Sequence, residues 1–565
     1  MTTTSAQSAA PPLRTWTGRI SARALGRLLH LPAASTGYTV SQVRIPMRDG
    51  IELAADHYAP AAHTSGPIGT LLVRGPYGRG FPFSVLFAAL YAARSYHVVL
   101  QSVRGTFGSG GAFEPMIHEA DDGADTVAWL RRQPWFTGRF GTIGLSYLGY
   151  TQWALLADPP PELTAAVITA GPHDFAVSSW GTGAFSINDF LGWSDLVAHQ
   201  EDPGRIRNGI RQLWARRRVA RAAAEAPLGA AGRALLGEGA PWFESWLEHP
   251  DLADPFWEPV RMGAALERAQ VPVLLIGGWQ DLFLQQTLEQ YRHLRDRGVD
   301  VALTVGPWTH TQLLTKGLAR ITRESLSWLD AHLGHAPSAR RPSTVRVFVT
   351  GQGWLSMPDW PPSTSEHVLY LQPGGRLAET PPPPGVQPAT FRYDPADPTP
   401  TVGGRLLSPD GGYRADNRLA RRDDVLSFTS DALTDDLCVH GNPVVELRHT
   451  SDNPHVDLFV RVSEVDASGR SRNVSDAYRR LRDAVPVGDT VQVELDAVAH
   501  RFRAGSRIRV MIAGGSHPRY ARNLGTGEPV VTGRQLKPAT HSVHFGDPRL
   551  LLPVARSHGV AALGG

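Results

Sequence analysis

A serine at a tight turn is the first feature of this sequence that could carry chemistry. The segment Gly141-Thr-Ile-Gly144-Leu-Ser146-Tyr147-Leu-Gly149 joins an apolar run to a helical stretch, residues 147–157, with Ser146 at the turn. Such a nucleophile elbow projects the hydroxyl outward, and small residues let the strand and the helix approach closely. The usual pattern has glycine two places after the serine, where this sequence has Leu148. The segment predicts a nucleophilic serine, with an ordinary strand–helix turn as the alternative.

A base and an acid follow Ser146 in the chain order expected of a serine hydrolase with this strand–turn–helix pattern. A serine hydroxyl is a weak nucleophile unless a base takes its proton and a third group orients the base. The apolar run 271–276 leads to Asp281, and the run 301–305 leads to His310. Taken singly, Asp281 could cap the helical stretch 282–295, and His310 could be a structural residue among the 21 histidines. Jointly with Ser146 they predict a catalytic triad.

Hydrogen-bond donors for the oxyanion are the next requirement of acyl transfer. The HGGG-type loop that supplies them in some lipases is absent from this sequence. The apolar run 70–73 ends instead in Arg74-Gly75-Pro76-Tyr77-Gly78, where a tyrosine can direct its phenol over the serine. The backbone N–H of Tyr147, at the start of a helix, is the second candidate donor. The alternative interpretation of Tyr77 is an aromatic residue that packs in a loop.

An alternating pattern between residue 40 and about residue 340 predicts the strands and helices that must position these residues. Short apolar runs alternate with helical stretches, which predicts a mostly parallel sheet covered on both faces. The predicted strands are 70–73, 97–100, 142–145, 165–169, 271–276 and 301–305, and the predicted helices include 119–133 and 147–157. Residues 172–258 break the alternation with an arginine-rich helical segment, 205–221, and no strand signal. This insertion predicts a helical cap above the sheet.

The two ends of the chain have a different texture. After residue 341, short strands separated by Gly, Pro and Asp turns predict an antiparallel β-sandwich over residues 341–565. Residues 1–35 contain four arginines and no apolar core of a signal peptide, so we expect a flexible N-terminal extension on a cytoplasmic protein. A transit peptide is the alternative. The sheet domain then comprises residues 36–171 and 259–340.

The composition narrows the classes of function. Of the 565 residues, 42% are hydrophobic and 19% are charged, which is typical of a folded chain with two or three cores. The net charge of +3 is weak for a nucleic-acid binder, and the longest apolar run, around residues 85–93, is too short to span a membrane. The single cysteine, Cys438, excludes an intrachain disulfide and a thiolate zinc site. Because neither a P-loop nor an HExxH motif occurs, we expect no metal or cofactor. With nucleic acid and membrane disfavoured as partners, we expect a small-molecule substrate.

A set of ordered motifs resembles the CocE/NonD family of serine hydrolases, which includes bacterial cocaine esterase and X-prolyl dipeptidyl-peptidase-like enzymes. The similarity runs from about Tyr38 to the C-terminus. Besides the segments around Tyr77, Ser146, Asp281 and His310, it includes Pro46-Met-Arg-Asp-Gly50, Gln133-Pro-Trp135, Leu191-Gly-Trp193, Tyr393-Asp-Pro-Ala-Asp-Pro398, Arg422-Asp-Asp-Val-Leu426 and Pro518-Arg-Tyr-Ala-Arg-Asn523. The number and order of these motifs make the resemblance specific.

The resemblance implies a role for each candidate residue. Ser146 would be the nucleophile, His310 the base and Asp281 its orienting carboxylate, while Tyr77 and the Tyr147 amide would form the oxyanion hole. Trp180, Trp193 and Phe283 match residues that line the aromatic acyl pocket in this family, with ordinary packing as the alternative. The implied fold is an α/β-hydrolase domain with a mostly parallel sheet, a helical cap insertion and a C-terminal jelly-roll β-sandwich.

The sequence therefore predicts a cofactor-free serine hydrolase that cleaves a carboxylic ester, or less readily an amide, through an acyl-enzyme on Ser146. An acyltransferase would use the same acyl-enzyme with an alcohol or amine in place of water. A hydrolase of X-prolyl peptides or amino-acid esters would need carboxylates placed to hold an α-ammonium group. A non-catalytic binding protein is the last alternative, and the presence of all three triad residues argues against it. The acyl and alcohol groups and the oligomeric state stay open.

Overall fold

The elements of the fold are taken from a computed structural model, which describes residues 8–9, 12–61, 68–203, 205–334, 341, 344–481, 489–555 and 561–562. The helices are α1 (Pro12–Leu28), α2 (Leu90–Ala92), α3 (Glu119–Leu130), α4 (Tyr147–Leu156), α5 (Phe175–Trp180), α6 (Ile187–His199), α7 (Arg205–Ala223), α8 (Leu228–Leu236), α9 (Trp242–Glu248), α10 (Gly263–Arg268), α11 (Leu284–Asp296), α12 (His310–Leu313) and α13 (Leu318–His332). A π-helical segment spans Ser84–Ala89, and 3-10 helices span Pro255–Val260 and Leu419–Arg421.

The strands fall into two groups along the chain. The first group is β1 (Ser8–Ala9), β2 (Tyr38–Pro46), β3 (Glu52–Pro60), β4 (Gly69–Gly75), β5 (Tyr96–Ser102), β6 (Phe140–Leu145), β7 (Leu163–Thr169), β8 (Val273–Gln280), β9 (Val301–Thr309), β10 (Val345–Val349) and β11 (Gly353–Met357). The second group is β12 (Thr364–Gln372), β13 (Arg376–Ala378), β14 (Ala389–Tyr393), β15 (Val425–Ser430), β16 (Leu437–Gly441), β17 (Val444–Ser451), β18 (Val456–Val465), β19 (Ser471–Leu481), β20 (Val491–Glu494), β21 (Val498–Phe502), β22 (Arg507–Ala513) and β23 (Ala539–Ala555). A last strand, β24 (Ala561–Ala562), returns to the first group.

A large mixed sheet places the candidate residues at one edge. Its strand order is β1-β2-β3-β5-β4-β6-β7-β8-β9-β10-β11-β24, and the strands from β5 to β10 in this order run parallel. Every residue of β4, β5, β6 and β8 is buried, as expected when helices cover both faces of a parallel sheet. Since parallel strands present their carboxyl ends to the same edge, the loops after β4, β6, β8 and β9 meet there. These are the loops that carry Tyr77, Ser146, Asp281 and His310.

Helices α5 to α9 lie in the region that the sequence predicts as a cap, residues 172–258. Between β7 and β8 the described residues contain helices and turns and no strand. Helix α6 packs against α7 and α8, and its buried face carries Phe190, Leu191 and Trp193. The apolar face of α6 therefore belongs to the same core as the helices that cover the sheet.

The C-terminal domain is rich in strands, as the sequence predicts. Strands β12 to β23 form one hydrogen-bonded network, in which the pairs are antiparallel except for β13 with β15. The network encloses its own apolar core, which includes Leu371, Leu447, Val460 and Ile512. The jelly-roll arrangement of these strands stays a prediction.

The boundary between the two domains differs from the sequence-based expectation. We predicted that the sandwich begins at residue 341, but β10 pairs in parallel with β9, with Val345 opposite Leu303, and β11 pairs with β10. Both strands therefore continue the large sheet. The alternating burial of β10 resembles that of the sandwich strands, and this local pattern cannot show which neighbouring strand a segment will pair with.

The N-terminal segment also differs from the expectation of a flexible extension over residues 1–35. Helix α1 occupies residues 12–28, and Ala22 and Leu29 are buried in the core of the sheet domain. The guanidinium of Arg94 donates two hydrogen bonds to the carbonyl of Pro32, at 2.6 and 3.0 Å. Residues 1–7, 10 and 11 of the predicted extension lie outside the described residues. The four arginines at positions 14, 19, 23 and 27 make this segment polar overall, so the few apolar residues that pack on the sheet domain give a weak helical pattern.

Candidate active site

Ser146 lies at the turn between β6 and α4. Its backbone has φ 61° and ψ −120°, a conformation that is strained for a residue with a Cβ atom. Its N–H donates to the carbonyl of Thr169 at 3.0 Å, and its own carbonyl accepts from the N–H groups of Gly149 and Tyr150. The strained turn is thus held from both sides, as in a nucleophile elbow.

Glycines provide the room that this turn needs. A Cβ atom on Gly144 would lie 2.4 Å from the carbonyl oxygen of Leu148, and one on Gly149 would lie 2.6 Å from the Cα atom of Gly171. Leu148, which stands where the usual pattern has glycine, fits because a Cβ atom on Gly75 would lie only 2.3 Å from its Cδ1 atom. The departure from the pattern is therefore accommodated by a glycine on another strand, β4.

Asp281 and His310 are in direct contact. The Nδ1 atom of His310 lies 2.7 Å from Oδ2 of Asp281, and the two residues are 6% and 0% exposed. The other carboxylate oxygen of Asp281 accepts the N–H of Phe283 at 2.8 Å, so Asp281 also orders the turn before α11. The Asp281 contact occupies Nδ1, which leaves Nε2 as the ring nitrogen that can face a substrate.

A capping box fixes the start of the short helix that carries His310. The side chain of Thr309 accepts from the N–H of Gln312, while the side chain of Gln312 accepts from the N–H of Thr309. His310 is the first residue of this helix, α12. The position of its imidazole is therefore set at the backbone as well as by the contact with Asp281.

The hydroxyl of Tyr77 contacts a cap residue and lies close to Ser146. It accepts the indole N–H of Trp193 at 3.0 Å. Burial of the phenol raises the pKa of Tyr77 to about 12, while the polar groups of Trp193 and Ser146 act in the opposite direction. The group is thus a neutral hydrogen-bond donor at physiological pH.

The hydroxyl of Tyr147 has partners away from Ser146, so only the backbone N–H of Tyr147 is available to bind an oxyanion. The hydroxyl donates to Glu119 at 2.8 Å and accepts the N–H of Met116 at 2.7 Å. Glu119 in turn pairs with Arg74 at 3.0 Å, and burial raises the pKa of Glu119 despite this cation. As the first residue of α4, Tyr147 has an N–H group without a partner inside the helix.

The three aromatic residues that the resemblance places in an acyl pocket have different surroundings. Trp193 contacts Tyr77, and the ring of Phe283 stands edge-on to His310 with 5.5 Å between centroids. Trp180 packs against Phe185 and donates its indole N–H to the carbonyl of Trp246, within the cap. The structure thus brings Trp193 and Phe283 to the candidate catalytic residues and gives Trp180 contacts inside the cap.

A loop of the C-terminal domain also reaches the site, and the sequence-based reasoning missed it. The backbone N–H of Leu407 donates to the buried carboxylate of Asp189 on α6 at 2.8 Å, and Leu407 packs against the core of the cap and sheet. Arg405 donates to the carbonyl of Leu282, next to Asp281, at 3.1 Å. Asp189 and Arg405 also border a cavity of about 180 Å³ between the cap and the C-terminal domain. No local pattern links residues 189 and 407, which are 218 positions apart.

Within the described ranges, no cluster of three or more His, Cys, Asp or Glu side chains is arranged to hold a metal ion. None of the helices in the same part of the chain combines the length and the apolar character needed to cross a membrane.

Comparisons with known proteins indicate the family of this chain. Residues 49–312 match the family model described as X-Pro dipeptidyl-peptidase (S15 family), and residues 338–549 match the X-Pro dipeptidyl-peptidase C-terminal non-catalytic domain. The chain is 31% identical to cocaine esterase from Rhodococcus sp. (strain MB1 Bresler), and the match covers 91% of this chain and 98% of that protein.

Two solved structures are similar over most of their length. An aminopeptidase from a Thaumarchaeota archaeon of marine sediment has a TM-score of 0.77 at 24% identity, and an α-amino acid ester hydrolase has a TM-score of 0.77 at 23% identity. Each comparison covers 93% of this chain and 98% of the other, and at these identities it shows a shared fold. The chain therefore belongs to the S15 family of serine hydrolases, among the CocE/NonD proteins related to cocaine esterase.

Proposed function

We propose that this protein is a serine hydrolase that cleaves carboxylic esters through an acyl-enzyme on Ser146. The observation that carries the proposal is the buried 2.7 Å contact between His310 and Asp281, at the sheet edge where the strained Ser146 turn lies. A carboxylate on Nδ1 holds the imidazole in the tautomer whose Nε2 atom accepts a proton. Ser146 then has the base that a serine nucleophile needs.

The first half of the reaction forms the acyl-enzyme. The Oγ atom of Ser146 attacks the ester carbonyl, and its proton passes to Nε2 of His310. The carbonyl oxygen becomes negative and accepts hydrogen bonds from the Tyr77 hydroxyl and the Tyr147 N–H. The tetrahedral intermediate then breaks its bond to the alcohol oxygen, which leaves with the proton from His310.

The second half uses water in place of the serine hydroxyl. His310 takes a proton from water, and the resulting hydroxide attacks the acyl carbon in the same oxyanion hole. When the bond to Ser146 breaks, His310 returns the proton to Oγ, and the carboxylic acid leaves. Each proton moves between His310 and Ser146, the leaving alcohol or water, so the cycle needs no cofactor.

An ester is a better supported substrate than a peptide. The relative whose identity and coverage establish the family is named as an esterase. The aminopeptidase and the amino acid ester hydrolase are less than 25% identical to this chain, and a similarity at that level indicates a shared fold but not a shared substrate. Aromatic rings, Phe283 and Trp193, lie beside His310 and Tyr77. These rings favour an acyl group with an apolar, aromatic body.

The finer architecture follows from the same positions. We infer an α/β-hydrolase domain because the nucleophile, acid and base follow strands β6, β8 and β9 in that chain order. The helical cap at residues 172–258 is its insertion. The C-terminal strands β12 to β23 would form the jelly roll, with β10 and β11 assigned to the hydrolase domain.

Active-site labelling tests the proposal. An alkyl fluorophosphonate should react with the wild-type protein at Ser146 and abolish hydrolysis of aryl and alkyl esters. Ser146→Ala should lose both labelling and at least about 10³-fold of kcat, because it removes bond formation and little packing. The matched control is Ser427→Ala in the C-terminal domain, where the hydroxyl donates to the carbonyl of Ala420 far along the chain from the triad.

The outcome that contradicts the proposal is labelling of another serine, or full turnover by Ser146→Ala. Product analysis in water with an added alcohol or amine separates hydrolysis from acyl transfer, since only transfer yields a new ester or amide.

A further inference from the structure

The indole of Trp193 points its only polar atom at the candidate oxyanion hole. Its Nε1 atom lies 3.0 Å from the hydroxyl oxygen of Tyr77, whose hydroxyl also lies close to Ser146. We propose that Trp193 is a positioning residue: its N–H fixes the direction of the Tyr77 hydroxyl proton and strengthens Tyr77 as the donor to the oxyanion. This inference rests on the proposed function and adds a residue that acts through Tyr77.

The direction of the proton follows from what each group can donate and accept. An indole N–H is a donor only, whereas a phenol has one proton and can accept through its oxygen. In a contact between Trp193 and Tyr77 the indole must therefore donate, and the phenol proton cannot point toward Trp193. The phenol proton is therefore directed away from the indole, and it stays available to the carbonyl oxygen of a substrate that binds at Ser146.

The strength of the donor follows from the chain of hydrogen bonds. When Tyr77 donates to an oxyanion, its own oxygen becomes more negative, and an N–H donor on that oxygen is then worth more than in the resting enzyme. Burial alone raises the pKa of Tyr77, and the bond from Trp193 lowers it, which makes the phenol a better donor than burial would leave it. The benefit belongs mainly to the transition state.

The surroundings of both residues keep this contact in place. The ring of Trp193 packs against the rings of Tyr147, with 6.1 Å between centroids and 11° between planes, and of Trp246, at 6.1 Å and 28°. The ring of Tyr77 is stacked on Phe83 at 5.4 Å and 19°. Trp193 is 9% exposed. Tyr147 therefore has two roles in the proposed oxyanion hole. Its backbone N–H is the second donor, and its ring packs against Trp193, which orients the first donor, Tyr77.

A double-mutant cycle separates this role from simple packing. The variants are Trp193→Phe, Tyr77→Phe and the combination, with kcat and KM measured on one aryl ester beside melting curves. Trp193→Phe should lower kcat about 3- to 10-fold, the range expected for one net hydrogen bond. In the Tyr77→Phe background the same change should alter kcat by less than about twofold, because the phenol through which Trp193 acts is gone.

A matched control comes from the same aromatic cluster. Trp242 packs against Trp193 at 6.3 Å, but its indole N–H donates to the hydroxyl of Ser194. Trp242→Phe makes the same change in ring size and should leave kcat within about twofold. If Trp193→Phe does not fold, 3-benzothienylalanine at position 193 keeps the size and shape of the indole and replaces its N–H with sulfur, and the same loss of kcat is expected.

The outcomes are distinct. An equal loss of kcat in the wild-type and Tyr77→Phe backgrounds would mean that Trp193 contributes only its ring, and an unchanged kcat for the benzothienyl variant would overturn the role of the N–H. Ser146→Ala measured in the same assay separates the two proposals. If it loses turnover while the Trp193 variants do not, only the positioning role fails, whereas full turnover would overturn the proposed function and the positioning role with it.

Discussion

Replacing Asp189 with asparagine should stabilise the protein at neutral pH. Asp189 lies in the first turn of α6, is 5% exposed, and accepts the N–H of Leu407 through Oδ1 at 2.8 Å. Asparagine keeps a carbonyl oxygen for that hydrogen bond and removes the charge. The comparison between the two residues therefore isolates the cost of holding a carboxylate between the cap and the C-terminal domain.

The size of the effect follows from the pKa of Asp189. Burial raises it to about 6, although the Leu407 N–H and the charges of Arg519, His310 and Arg405 act in the opposite direction. In the unfolded chain the carboxyl releases its proton near pH 4. The folded state holds the proton up to about pH 6, so the stability that this group contributes is present below pH 4 and is lost as the pH rises from about 4 to 6. A difference of about two pKa units corresponds to a loss on the order of 3 kcal/mol.

Equilibrium denaturation of both proteins between pH 4 and pH 8 measures this loss. The free energy of unfolding of Asp189→Asn minus that of the wild type should be small at pH 4, rise through pH 5 and 6, and reach a plateau above about pH 7. Other carboxylates titrate in this range, but their contributions cancel in the difference. Asp158→Asn, at an exposed position, is the control and should show no such rise.

Two results would refute the reasoning. A difference that does not depend on pH would mean that the charge of Asp189 carries no burial cost. An asparagine variant less stable than the wild type above pH 6 would mean that the attraction to Arg519 and Arg405 exceeds the desolvation of the carboxylate.

Three other substitutions test the site. Asp281→Asn should lower kcat by about 10⁴-fold with little change in fold, since an amide cannot hold the required tautomer of His310; steady-state kinetics and circular dichroism check this, and a loss below about tenfold would argue against the triad. Tyr77→Phe should cost about 10² to 10³ in kcat and leave KM within a few-fold, because its donor acts on the oxyanion; near-normal kcat would remove Tyr77 from the hole. Gly149→Ala should lower the free energy of unfolding by about 1–3 kcal/mol, because its Cβ atom would lie 2.6 Å from Gly171; an unchanged melting temperature would contradict the tight approach of α4 to the chain after β7.

The strands and helices that have a clear local sequence pattern were predictable. The alternation of apolar runs with helical stretches located the six strands that bear or neighbour the site. The structure extends five of them by two to four residues, whereas β8 begins two residues after the predicted start and ends four residues after the predicted end. Asp281 and His310 were predictable as a pair because each directly follows a strand of a parallel sheet. The family and the class of reaction were predicted through the motifs, and the comparisons confirm both.

The parts that depend on distant contacts were not predictable. The affiliation of β10 was missed because its alternating burial is the same for a sandwich strand and for a strand near the edge of a large sheet. The contact of Trp193 with Tyr77 joins a cap helix to a loop 116 positions earlier, and nothing in either segment indicates the other. The room for Leu148 comes from Gly75, which lies on a different strand. The motif alone does not include Gly75, so Leu148 in place of the usual glycine counted against a nucleophile elbow.

The C-terminal domain contacts the loops that carry the acid and the base of the proposed triad, even though its family description calls it non-catalytic. Arg405 holds the carbonyl of Leu282, the residue after Asp281, and a Cβ atom on Gly412 would lie 2.9 Å from the side chain of Thr309, the residue before His310. A triad must keep its atoms within about 0.5 Å of the productive arrangement, so the two loops that carry acid and base cannot drift independently. The loop from Arg405 to Gly412 contacts both of them and, through Leu407, the cap as well. The strand-rich domain thereby helps to set the distance between acid and base on which the proposed chemistry depends.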